Sequence, residues 1–197
     1  MKDTSVDVPR TADDWRGYLV DYGREYVRTA NVYQREFLTA EQATTCWFGA
    51  EPAGERTIAA TEQRLGTRLP PSLRSFLAAS DGWSALVAFF VDELLPCKGI
   101  EWLRDSGRGA ELIEIYSEEL DEDDEPDELL DLFRRSLLVA TGEDLWLLDP
   151  ARPGPDGEWA ALHFAPGEGE YPEEHPSFAE LLHTSRLQLV ADFDATG

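Results

Sequence analysis

Cysteine, methionine and histidine are scarce in this chain, with two, one and three in 197 residues. Two cysteines, Cys46 and Cys97, cannot make a disulfide scaffold, so a reduced, cytoplasmic protein is expected. The histidines, His163, His175 and His183, are not spaced i, i+4 and none has a cysteine nearby in sequence. A zinc site would want tighter spacing, and no metal or cofactor is expected. The longest apolar stretch, Ala85 to Val91, is strand-sized and far too short to span a bilayer. The first ten residues, MKDTSVDVPR, hold no apolar run, so no secretory signal is expected.

Reaction-specific motifs are missing too. There is no G-x-S-x-G elbow, no Walker A loop, and no G-x-G-x-x-G after a strand. Gly167-Glu168-Gly169-Glu170 is glycine-rich but acidic, which repels phosphate. The acidic run from Asp121 to Glu128 fails the EF-hand test: positions six and twelve, counted from Asp121, hold Pro126 and Leu132 instead of glycine and glutamate. With forty acids in the chain, paired carboxylates arise by chance. No catalytic residue is assigned, and a non-enzymatic protein is expected.

Positive charge is also in short supply. Seventeen Lys and Arg face forty Asp and Glu, a net charge of −23. The imbalance is lopsided. Residues 1–108 hold 13 cations and 16 acids, whereas residues 109–197 hold 4 and 24. A surface of that sign excludes direct nucleic-acid binding, which needs a basic footprint, and docking on anionic lipid. It would steer a basic protein partner. An acidic surface also serves plain solubility, and net charge alone does not separate the two uses.

What is present is enough for one core: 197 residues, 42% of them hydrophobic. Thr11 to Arg28 opens with a capping box, Thr11 and Asp14, and places Trp15, Tyr18, Leu19, Tyr22 and Tyr26 on one helical face. That stripe reads as core packing. Residues 29–43 read as a second helix. Ile58 and Leu65 share a face of a short helix that Gly66 can stop. Leu69-Pro70-Pro71 is a stiff corner, and Leu73, Phe76 and Leu77 stripe the next helix up to Asp81-Gly82. A strand is expected over 86–91, a helical turn around Ile100 to Leu103, and helices over Leu112 to Leu120 and Leu129 to Arg135. The acidic run between those helices reads as a loop or a frayed helix end. Leu137 to Ala140 and Leu145 to Leu148 make a hairpin, residues 150–157 a loop, and Trp159 to Ala165 a third strand. Residues 166–176 read as loop. Ser177 and Glu180 form a second capping box before a last helix, with Leu187 to Val190 as its continuation or an edge strand. Helices first and clustered strands later predict an α+β fold: a single domain with a mostly antiparallel sheet flanked by helices.

Ile58, Glu62, Leu65-Gly66, Leu69-Pro70, Phe76-Leu77 and Gly82-Trp83 resemble the opening signature of the SUKH superfamily, the Smi/Knr-like group of bacterial immunity proteins and fungal cell-wall-assembly regulators. Leu137 to Asp149, Asp156 to Trp159 and Ser177 to Leu181 continue the likeness in order. It spans roughly 44–190, leaving residues 1–43 as an N-terminal helical extension and 44–197 as the SUKH-like domain. The run 121–128 is an insert that the pattern does not require. The resemblance implies a protein-binding module. One reading is an immunity protein that neutralises a basic, nuclease-type toxin. The alternative is an intracellular regulatory or scaffold protein of the cell-wall type. For the first, Glu118, Glu119, Asp121, Asp123, Asp124, Glu168 and Glu170 are the candidate acids, and Tyr116 and Tyr171 the candidate aromatic anchors. Trp159 is a further aromatic, better read as core.

Overall fold

A computed structural model describes residues 8–84, 91–118, 127–166 and 171–196. The architecture is α+β. Five helices come first: α1 (Ala12–Thr29), α2 (Val32–Glu36), α3 (Ala40–Thr45), α4 (Glu55–Leu65) and α5 (Pro71–Leu77). Strands β1 (Val91–Leu94) and β2 (Glu101–Trp102) follow, then α6 (Gly107–Glu118) and α7 (Glu128–Arg135). Strands β3 (Leu137–Gly142), β4 (Leu145–Pro153), β5 (Trp159–Phe164) and β6 (Glu173–His175) precede α8 (Phe178–Thr196). The sheet runs β1-β3-β4-β5-β6 with every described pairing antiparallel, and β2 pairs with β3 beside β1.

Both faces of this sheet are covered, which explains the unbroken apolar runs in β3 and β4. Val139, Trp146, Leu148 and Ala161 join a core with α1, α4, α5 and α8. Their neighbours Leu138, Leu147, Leu162 and Phe164 join a second core with α6 and α7. Alternate residues of a strand point to opposite faces, so a strand sandwiched between helices needs apolar residues at every position.

The first helix belongs to the larger core. Thr11 caps it by accepting from the Asp14 amide at 3.2 Å, a contribution of about 1 kcal/mol. Trp15, Leu19 and Tyr22 are fully buried, and each such burial is worth about 1.5–3 kcal/mol, so packing outweighs the cap. Gly23 sits where a Cβ would lie 1.9 Å from the Cys46 carbonyl oxygen, so the close approach of helix and turn requires glycine.

The Leu-Pro-Pro corner forms as its sequence dictates. Gly66 ends α4 with φ 71°, and Pro71 opens α5 at its first position. Two acids of the family-like pattern hold this corner. Glu62 accepts from the Leu69 amide at 3.1 Å and from Arg74 Nε at 3.3 Å. Glu158 accepts from the Ser72 amide at 2.8 Å and the Ser72 hydroxyl at 2.7 Å, capping α5 from the residue just before β5. Burial raises the Glu158 pKa; the Ser72 bonds oppose that shift, and the Glu180 and Asp156 charges add to it. A carboxyl raised in the folded state favours folding below its unfolded pKa, and that contribution is lost as pH rises through the folded value. Glu158→Gln is therefore expected to flatten the fall in stability above about pH 4.5. Denaturant unfolding at several pH values from 4 to 7, compared with the parent chain, reads the difference.

Several expectations change. Residues 29–43 form two short helices because Asn31 with Gln34, and Thr39 with Gln42, each build a separate capping box. Residues 100–103 enter through β2 before a 3-10 turn at Leu103–Asp105. The expected strand over 86–91 falls mostly outside the described residues, and β1 begins at Val91. Strand β4 runs on through Pro153, opposite Trp159, after a shift in register that the proline-rich sequence disguised as a loop. Strand β6 is three residues on the sheet edge, two of them exposed acids, so no apolar alternation announced it. Leu187 to Val190 continue α8.

Candidate docking surface

The four cations of the acidic half are each tied to carboxylates within the fold. Arg134 reaches Asp131 at 3.4 Å. Arg186 makes a two-pronged bond to Glu25 at 2.7 and 2.8 Å, joining α8 to α1. Arg135 does the same to Asp149 at 2.9 and 2.8 Å, and Asp149 is completely buried. Arg152 touches the most groups. It donates to Glu128 at 2.5 Å, to Glu174, and to the Tyr171 hydroxyl at 3.4 Å. Its guanidinium stands 5.9 Å from the Tyr171 ring centre and its Nε 3.8 Å from Asp149. With these four engaged internally, the acids of that half are left in large excess.

Local structure explains why Arg152 can do this. Asp149 turns back to accept the Ala151 amide at 2.9 Å, fixing the chain just before Arg152. Glu128 opens α7, Glu174 lies on β6, and Tyr171 stands two residues before β6. One arginine on the far end of β4 therefore links the starts of two elements that follow the acidic segments 119–126 and 167–170. The preceding ends also meet. Tyr116 and Phe164, each three residues before a segment, have ring centres 6.4 Å apart. The described residues that flank the two acidic segments thus meet as a ring pair on one side and at a single arginine on the other.

Of the residues singled out by sequence, Tyr116 is half-buried and packs on Phe133 and Phe164 in the second core. Glu118 ends α6 and is exposed. Tyr171 is 43% exposed, with Arg152 over its ring. Trp159 is half-buried against the larger core. Glu119, Asp121, Asp123, Asp124, Glu168 and Glu170 lie outside the described residues. Sequence reasoning missed Arg152, Glu128 and Glu174. The signal was there: a cation surrounded by so many acids in its half of the chain must find several of them.

Among the described residues, no three or more His, Cys, Asp and Glu stand where they could hold a metal ion. His163 meets Asp144 at 2.7 Å, while His175 is buried, comes no closer to Glu173 than 3.5 Å, and has its pKa lowered by that burial. Burial pushes the Cys97 thiol up to about 12, so it stays protonated and unreactive. No helix among the described residues is long and apolar enough to cross a membrane. A family model described as SMI1 / KNR4 family (SUKH-1) matches residues 52–184, well over half of the chain. No curated protein matches it.

Proposed function

The chain belongs to the SMI1 / KNR4 family (SUKH-1), and from that premise we propose that it is an immunity protein that binds and neutralises a basic, nuclease-type toxin. The family supports a non-enzymatic domain of the immunity or regulator type. The observation that carries the finer reading is the junction at Arg152, where the flanks of both acidic segments converge. A nuclease holds its substrate with a basic surface, and a concentrated field of carboxylates imitates the phosphates it binds. Charge of this kind speeds the encounter, while a partly exposed aromatic such as Tyr171 supplies contact area within the acidic rim.

The test is capture and inhibition. The full chain, immobilised at low ionic strength, is presented with proteins of its native host, and retained nucleases are assayed with and without it. A basic nuclease that loses activity at one-to-one stoichiometry is expected. A retained nuclease that stays fully active when saturated would overturn the reading. A set of retained proteins without a toxin among them would point to the regulator type instead.

A further inference from the structure

A second surface lies at the opposite edge of the sheet, beyond β1. Gly49 bridges to Trp83, and Trp83 bridges to Leu94, so irregular chain continues the sheet past its edge strand. A cleft of about 860 Å³ opens there. Trp47 and Trp83 meet edge to face within its lining, ring centres 5.3 Å apart at 88°. Among the described residues, the lining holds three carboxylates, Glu41, Asp81 and Glu93, against one ammonium, Lys98.

One wall of this cleft has an unusual construction. Cys46 closes α3 in the left-handed conformation, φ 55°, one of two non-glycine residues with positive φ among the described residues. That conformation costs a residue with a side chain on the order of 1 kcal/mol or more and persists only where surroundings enforce it. Here Gly23 admits the Cys46 carbonyl against α1, and the turn delivers Trp47 to the cleft. This wall, Thr39 to Ala50, precedes the stretch matched by the family, whereas the facing wall, Asp81 to Ser84 and Glu93 to Lys98, lies inside it. The cleft thus pairs a family-matched side with a side contributed by this chain's own N-terminal region.

We infer that this cleft is a second docking site, taking an arginine-bearing loop of the basic protein partner. A guanidinium is attracted to the face of a tryptophan ring and to carboxylates on the same rim, and its planar fork suits both. Charge complementarity selects this occupant: three acids and the half-buried Trp47 ring favour a cation with an apolar stem. Because one wall lies outside the family-matched stretch, the cleft would set which partner is accepted. The inference rests on the proposed function for the sign of the partner's charge, and its test separates the two.

The probe is a seven-residue peptide, Gly-Gly-Ser-Arg-Ser-Gly-Gly, titrated into the nitrogen-15-labelled full chain, with citrulline replacing arginine in a control. The tryptophan indole signals are followed by NMR after assignment by single Trp→Phe changes. Saturable shifts of the Trp47 and Trp83 signals are expected with arginine and not with citrulline. Glu41→Lys combined with Glu93→Lys, both at exposed positions, is expected to weaken binding about tenfold or more. Equal shifts with both peptides, or none at Trp47 and Trp83, would overturn the inference. If only residues 127–131 and 171–175 shift, the cleft fails and the acidic face stands. If the cleft responds but neutralising Asp121 to Glu125 leaves capture of the basic partner unchanged, the acidic face fails and the cleft stands.

Discussion

Trp15→Ala is expected to destabilise the chain by about 3–5 kcal/mol, the range for deleting a fully buried large aromatic. Trp15 is 0% exposed. Its ring meets Phe76 of α5 edge-on at 5.5 Å and Phe178 of α8 at 6.0 Å, so one side chain joins three helices. Its indole N–H donates to the Ser75 hydroxyl at 2.9 Å, and truncation would leave a cavity beside that hydroxyl. The residue lies well before the family-matched stretch that starts at residue 52, yet it packs against that stretch's own helices. Urea unfolding measures the effect. A loss under about 1 kcal/mol would mean that α1 contributes little to the core.

Arg135→Ala is the second large effect, about 3 kcal/mol or more, because it strands the buried carboxylate of Asp149. Among the described residues, the Ala151 amide at 2.9 Å and Arg152 Nε at 3.8 Å would be the partners left to it. The proximity of Arg152 keeps the expected cost toward the lower end of the range for a broken buried pair. Arg152→Ala makes the contrast. Its partners Glu128 and Glu174 are 64% and 43% exposed, and exposed pairs contribute about 1 kcal/mol or less. Arg135 thus holds the end of β4 in place, and Arg152 organises the surface built on it. Thermal and urea unfolding of the two variants distinguishes the roles. Equal costs would contradict this division.

Where burial decides conformation, the sequence was readable. The stripe of Trp15, Leu19 and Tyr22, the Gly66 stop, the Pro71 start and the hairpin of β3 and β4 all follow from period and turn chemistry. Strand β6 and the end of β4 were hidden because edge pairing satisfies backbone groups without needing apolar side chains. The candidate surface was legible as charge and not as geometry. Tyr171 and the acidic segments stood out by composition, whereas the meeting of Tyr171, Glu128 and Glu174 at Arg152 depends on β4, α7 and β6 converging, which no local pattern records. Tyr116 illustrates the same limit, since helical spacing places it on α6 and only the packed fold sets it against Phe164.

The most direct measurement is the association rate of the full chain with its captured basic partner as a function of ionic strength. Raising it from 0.01 to 1 M shortens the screening length from about 30 Å to about 3 Å. If the acidic face steers the partner, the rate falls about tenfold or more over that range, and replacing Asp121 to Glu125 with their amides removes most of the dependence. A rate unchanged by salt, and unchanged by those replacements, would contradict the central claim.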